Sequence, residues 1–169
     1  MMISYNSNNI ITDIYKIIVE QSNKEFFFNK IKIKPVFESR IEIFQLNLII
    51  ILWFFGLKNY NKKLTKGLVD FFINDLESAI REMGVSDTSI GRKTRTLVEN
   101  FYGRLYSYSE LFKAESVSKS ELTAKFKKNF KSKSISYNYL VKYTLKNICY
   151  LKKLKIKDSK TINITFKDI

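Results

Sequence analysis

Residues 48–55 read LIIILWFF, eight consecutive apolar side chains in the most lipophilic part of the sequence. Widening the segment to residues 43–57 brings in Gln45 and Asn47, so no apolar run reaches the about 18–20 residues of a membrane-spanning helix. We therefore predict a helix buried in the core of the protein. The alternative is a helix at a membrane interface, which the aromatic residues at the end of the run and the lysines after it would suit.

Amphipathic stripes with three- and four-residue spacing lie on both sides of this segment and predict five more helices. They cover residues 10–18, 64–83, 90–112, 122–130 and 137–151. Such stripes can bury their apolar faces only against one another, which predicts an all-α fold, a single compact domain of about six helices. We place an N-terminal helical extension at 1–34, the main domain at 35–155, and a tail at 156–169 whose weak alternation over 161–166 indicates extended or disordered chain.

Capping residues predict where several of these helices begin and end. Helix starts are expected at a Ser39–Glu42 capping box, at Asp87 or Thr88, and at a Ser118–Glu121 capping box. Helix ends are expected at Gly56 and Gly84, because glycine readily takes the left-handed conformation that follows a helix.

The composition excludes several function classes. Five glycines and one proline in 169 residues are too few turn residues for an all-β sandwich or barrel. No histidine is present, which removes the commonest general base, the commonest metal ligand and every Ser-His or Cys-His nucleophile pair. The lone Cys149 is expected to be a small buried side chain in a reducing compartment rather than a reactive thiol. Asp70, Asp75 and Glu77 are expected to be solvated helix charges, so we predict no enzyme and no catalytic, cofactor or metal site.

The net charge of +14 is concentrated in the last third of the chain. Residues 113–160 carry 14 Lys and 3 acidic residues, whereas residues 1–112 carry 15 basic and 12 acidic residues. This predicts a basic surface that attracts RNA, the ribosome or an anionic membrane. Its candidate residues are Lys125, Lys127, Lys128, Lys131 and Lys133. An AT-rich coding bias would raise the lysine content without any binding role.

Three motifs near the middle of the chain carry a family resemblance. They are DFFINDLESAIREMGVSD at residues 70–87, IGRK at 90–93 and FYGR at 101–104. Together they resemble the signature of the ubiquinol-cytochrome c chaperone family, and a weaker similarity extends from about Phe37 to about Tyr150. The chain departs from the family pattern at Asn47, where the family has a histidine, at residues 53–55, where it has a basic pair, and at Lys66, where it has a glutamine.

The resemblance implies an all-helical, non-enzymatic assembly factor for ubiquinol-cytochrome c reductase, respiratory complex III. The partner it implies is cytochrome b, nascent or newly inserted, with a second assembly factor and a ribosome contact as further candidates and no small-molecule substrate. The implied location is the bacterial cytoplasm, peripheral to the inner membrane, or the matrix side of that membrane in a mitochondrion.

The signature region also supplies the candidate partner-binding residues. They are Arg81, Glu82, Met83, Asp87, Arg92, Tyr102 and Arg104. Glu77 and Arg81 have the i, i+4 spacing of a helical ion pair. Glu82 lies in the last helical turn, where the helix dipole disfavours it, so we expect a partner for it among Arg92, Lys93 and Arg104. The alternative is that these charges form an internal salt-bridge cluster that pins the third and fourth helices together.

A second function class is a basic RNA- or ribosome-binding helical module. Aromatic side chains could stack on single-stranded RNA in such a module. However, Phe71, Phe72, Phe101 and Tyr108 fall on the apolar stripes, so we expect them in the core.

Overall fold

The computed structural model describes residues 7–155 and 164–169, and all regular secondary structure in these ranges is α-helical. The helices are α1 Ser7–Ser22, α2 Phe26–Asn29, α3 Phe37–Leu57, α4 Lys62–Glu82, α5 Asp87–Lys113, α6 Lys119–Phe130 and α7 Tyr137–Lys153. The six longer helices confirm the predicted all-α domain. The single turn α2 was not predicted, because four residues are too few to show a helical period.

Helix α3 is the centre of the molecule. Every residue of the 48–55 run is buried, and α3 packs against α1, α5, α6 and α7, while α4 covers α1 and α5. The prediction of a buried core helix is therefore confirmed. Among the described helices, α3 alone has the length and composition to cross a membrane, and 67% of its apolar window is buried inside the protein.

The predicted capping box at the start of α3 is wrong. The helix begins earlier, after the extended residue Val36, and Ser39 lies inside the first turns. Because Pro35 disfavours helical backbone only in the residue before it, the helix can begin almost immediately after the proline. Glu42 is then free of a capping role and pairs with Arg104 instead.

The end of α3 has Schellman geometry, in which a left-handed residue follows the helix, but that residue is not Gly56 as predicted. Gly56 is helical, and the left-handed position is taken by Asn59, with φ of 47°. The Tyr60 N–H donates to the Phe55 carbonyl at 2.8 Å, and the two rings stack with centroids 5.1 Å apart. Asparagine can replace glycine here because its short polar side chain tolerates the left-handed region.

The remaining caps agree with the prediction at two of three positions. Gly84 follows α4 with φ of +76°, and the Ser118 hydroxyl accepts a hydrogen bond from the Glu121 N–H at 3.3 Å. The N-cap of α5 is Ser86, one residue before the predicted Asp87, because Ser86 is already extended and Asp87 has entered the first turn. The side chain of Asn61 caps α4.

A buried polar chain connects α1, α3 and α7. The Tyr143 hydroxyl donates to Asn47 Oδ1 at 2.7 Å, and Asn47 Nδ2 donates to the Ser22 hydroxyl at 3.0 Å. Ser22 in turn donates to the Ile18 carbonyl at 2.6 Å. Asn47 is fully buried, so its side-chain amide finds its hydrogen-bond partners in Tyr143 of α7 and Ser22 of α1 rather than in solvent.

The C-terminal residues 164–169 form no helix but pack against the domain. Ile164 is buried, and the Asn147 side chain both accepts from the Lys167 N–H at 2.8 Å and donates to its carbonyl at 3.0 Å. Asp168 accepts from Gln21 of α1 at 2.9 Å. Residues 156–163 of the predicted tail lie outside the described residues.

Two burial predictions are wrong. Cys149 is exposed, because it lies beside the buried stripe of α7 rather than on it. Phe71 is 40% exposed, whereas Phe72, Phe101 and Tyr108 are in the core as expected. Phe71 contacts the Tyr15 ring at 4.4 Å at the edge of the α1–α4 interface, so its stripe is only partly covered.

We predict that Asn47→Leu lowers the free energy of unfolding by about 1–3 kcal/mol, because it leaves the buried Tyr143 and Ser22 hydroxyls without their shared partner. Urea denaturation of the purified protein measures this loss. The matched control is Asn100→Leu on the exposed face of α5, which we expect to change stability by less than about 0.5 kcal/mol. Equal stabilities of the two variants would contradict a structural role for the polar chain.

Candidate functional site

A groove of about 900 Å³ lies between the N-terminal part of α3, the end of α4, α5, and the loop from α6 to α7. Its apolar lining residues are Val36, Phe37, Ile41, Ile80, Met83, Val85, Leu97, Phe130 and Ile135. Its basic lining residues are Lys34, Arg92, Lys93, Arg104, Lys131 and Lys133. We call this cavity the basic groove.

Local chain geometry brings these segments together. The left-handed Gly84 reverses the chain, so the end of α4 and the first turns of α5 lie side by side. Lys131, also left-handed with φ of 51°, ends α6 and turns the chain into the loop that reaches Ile135. The Ser136 N–H then donates to the Ile31 carbonyl at 2.8 Å, which fixes that loop beside the entry to α3.

The basic groove combines parts of both sets of residues predicted from the sequence. Met83, Arg92 and Arg104 of the signature line it, together with Lys131 and Lys133 of the basic segment. The other predicted residues lie outside it. They are Arg81, Glu82, Asp87, Tyr102, Lys125, Lys127 and Lys128.

Sequence reasoning missed Lys34, Phe130 and Ile135 as groove residues. Phe130 was predicted as a core residue of its helix, and it is 9% exposed at the groove. The pattern of a single helix contains no signal for such a role, because the groove is made by segments up to a hundred residues apart.

A buried ion pair forms one wall of the groove. Arg104 Nε donates to Glu42 Oε2 at 2.9 Å, and a second guanidinium nitrogen contacts the other carboxylate oxygen, so the pair is bidentate. The side chains of Arg104 and Glu42 are only 18% and 12% exposed. Burial raises the pKa of Glu42 above its ordinary value, while Arg104 and then Lys131 oppose this rise. Arg104 is thus occupied inside the protein.

The predicted charge cluster between α4 and α5 is not formed. Arg81 pairs with Glu77 at 3.3 Å, as its spacing predicted, but both side chains are about half exposed and belong to the same helix. Among the described residues, no salt bridge joins α4 to α5, and Glu82 pairs with none of its three expected partners. The two helices are held by apolar contacts such as Phe72 on Phe101, with ring centroids 5.0 Å apart.

The rest of the rim is basic, and its charge is offset in part where Lys131 lies near Glu42. Lys34, Arg92, Lys93, Lys131 and Lys133 form no salt bridge with any described residue, and Glu38 is the other acidic side chain of the lining besides Glu42. The described residues contain no group of three or more His, Cys, Asp and Glu side chains that could hold a metal ion. The groove therefore offers apolar contact area and positive charge to a ligand.

We predict that Arg104→Ala destabilises the protein by about 3 kcal/mol at pH 7, because it leaves the buried Glu42 carboxylate without its partner. Folding raises the pKa of Glu42, so the folded protein binds a proton on this carboxyl more tightly than the unfolded chain does. Protonation of Glu42 therefore stabilises the fold at low pH, and this stabilisation is lost as the pH rises from the unfolded pKa to the folded pKa. Removing Arg104 raises the folded pKa further. The destabilisation should therefore be smaller at about pH 4 than at pH 7.

Urea denaturation at both pH values tests this prediction. The matched control is Arg95→Ala, which removes the same charge from an exposed position on the same helix. A loss of stability at Arg104 that is independent of pH, or equal to the loss at Arg95, would contradict it.

Comparison with known proteins gives two findings. The sequence model of the ubiquinol-cytochrome C chaperone family matches residues 29–161, which extends the resemblance at both ends. The crystal structure of the Cbp3 homolog from Brucella abortus matches with a TM-score of 0.81 at 21% identity, over 96% of this chain and 91% of that chain, and so shows the same fold. No protein of curated function matches the sequence. Because the family match spans most of the chain and includes all three signature motifs, this protein belongs to the ubiquinol-cytochrome c chaperone family.

Proposed function

We propose that this protein binds newly made cytochrome b in the basic groove during assembly of ubiquinol-cytochrome c reductase, respiratory complex III. Membership of the chaperone family supports a role in complex III assembly rather than catalysis. The observation that carries the choice of site is that Met83 and Arg92, both from signature motifs, line the same groove.

The lining of the groove suits the recognition of an unassembled protein segment. Met83 is 54% exposed and Val36 is 49% exposed, and both line the groove with seven other apolar residues. A contiguous apolar surface rimmed by polar residues marks an interaction site. A flexible methionine adapts to partners of different shape. Arg92 and Lys93 next to these apolar residues add long-range attraction, which increases the rate of encounter with a partner of opposite charge.

The proposed location is the cytoplasmic or matrix surface of the inner membrane, where cytochrome b is inserted. The basic last third of the chain would hold the protein there by charge, while α3 stays in the core. Contact with the ribosome, and with a second assembly factor, belongs to the same proposal.

We expect Met83→Asp and Arg92→Ala to reduce co-purification of cytochrome b with the tagged protein by at least about fivefold, without lowering the melting temperature. Met83→Asp places a charge in the apolar part of the groove, and Arg92→Ala removes a rim charge. The measurement is immunoblotting of affinity-purified material from the native host, together with the level of assembled complex III.

The matched controls for this experiment are Leu57→Asp and Arg95→Ala. Leu57 is 49% exposed at the far end of α3, and both control residues lie outside the groove. If the controls reduce co-purification as much as the groove variants do, or if none of the four has an effect, the assignment of the client to this groove is wrong.

Membrane association should be peripheral, so about 1 M NaCl should release the protein from isolated membranes by screening its contacts with anionic lipid. Immunoblotting of the pellet and supernatant measures the release. Retention through both high salt and alkaline carbonate would show that α3 leaves the core and inserts, which would contradict its assignment as a core helix.

A further inference from the structure

We infer that the occupant of the basic groove is an amphipathic helix about two turns long, with acidic side chains flanking its apolar stripe. This inference rests on the proposed function and specifies the chemistry of the segment that the groove recognises. It is carried by the shape of the groove and the charge of its rim.

The shape of the groove favours a helical occupant. Its walls are α3, α4 and α5 with the α6–α7 loop, and the described part of the chain offers no strand edge there. An extended segment would have no backbone partners along an apolar lining, whereas a helix satisfies its own backbone groups. A helix about 10 Å wide that rises 1.5 Å per residue fills the groove volume with about two turns.

The charge of the rim favours acidic flanks. Arg104 is already paired with Glu42, so it contributes little to a ligand. The five other basic side chains of the lining have no salt-bridge partner among the described residues, and they face a single unpaired acidic residue, Glu38. An uncharged apolar helix would fill the groove and leave these charges without partners, whereas a helix with Glu or Asp beside its stripe would pair with them.

Lys131 is the rim lysine whose charge can be removed with the least cost to the fold. It ends α6 in the left-handed conformation, a position where glycine or asparagine is usual because other side chains are strained there. Lys131 is close enough to Glu42 to affect its pKa, so its charge lies at the groove. Lys32, which does not line the groove, is left-handed as well, so we base the binding role of Lys131 on its charge at the rim and not on its backbone conformation.

Fluorescence anisotropy with labelled synthetic peptides tests the inference on the full-length protein. The probe is a 14-residue amphipathic peptide with a Leu and Phe stripe flanked by Glu, compared with the same peptide carrying Gln in place of Glu. It is longer than the two turns that the groove holds because shorter isolated peptides scarcely form helix in water. We expect the Glu peptide to bind roughly tenfold more tightly at 50 mM salt, as two or three rim ion pairs would give, and this advantage to shrink at 500 mM salt.

Two double variants with equal loss of charge separate the rim from basicity in general. Lys131→Gly with Lys133→Ala should remove most of the advantage of the Glu peptide, and Lys131→Gly should melt no lower than the parent because glycine relieves the strain. Lys127→Ala with Lys128→Ala removes two lysines outside the groove and should change affinity less than twofold.

Three results would overturn the inference. They are equal affinity for the Glu and Gln peptides, an equal loss of affinity in both double variants, and displacement of the Glu peptide by single-stranded RNA of the same charge with the same dependence on Lys131 and Lys133. The third result would make the groove a polyanion site. If the peptides fail while Met83→Asp still abolishes co-purification of cytochrome b, the chemistry of the occupant is wrong and the proposed function stands.

Discussion

The structure depends on the burial of α3 on all sides. Residues 48–55 present apolar side chains in every direction around the helix, so no single neighbour can cover them. Each large side chain of this kind stabilises the fold by about 1.5–3 kcal/mol when it is removed from water. Helices α1, α5, α6 and α7 supply that cover, and α4 closes the assembly by packing on α1 and α5. The arrangement of the other helices follows from the need to surround one apolar helix.

The two halves of α3 differ, and that difference positions the groove. Residues 45–55 are all buried, whereas the first turns carry Glu38, Ser39 and Glu42 and are only partly covered. The basic groove opens at these first turns, where polar and apolar residues of α3 alternate. Glu42 and Arg104 form the polar boundary there, so the apolar core ends at an ion pair rather than at open solvent.

Two of the three departures of this chain from the family pattern, Asn47 and residues 53–55, fall on buried positions of α3, whereas Lys66 is exposed on α4. Asn47 lies in the polar chain with Tyr143 and Ser22, where an amide offers both a donor and an acceptor. Trp53 packs edge-on against Phe112, with ring centroids 5.6 Å apart, and the Lys152 ammonium lies over its ring. The changed residues of α3 therefore take part in the core, and all three departures lie away from the groove that contains the signature residues.

The sequence by itself determined the six longer helices, because the period of apolar residues reflects which face of each helix loses water. It also determined the left-handed turn at Gly84 and the cap at Ser118, because these depend on the conformational freedom or hydrogen bonding of one residue. Tertiary structure decided the partners of charged side chains: Arg104 pairs with Glu42, 62 residues away, rather than with Glu82. It also decided which signature residues meet the basic segment, because a groove between helices depends on how they pack. Helical periodicity is a local property of the chain, whereas charge pairing and cavity shape depend on contacts between distant segments.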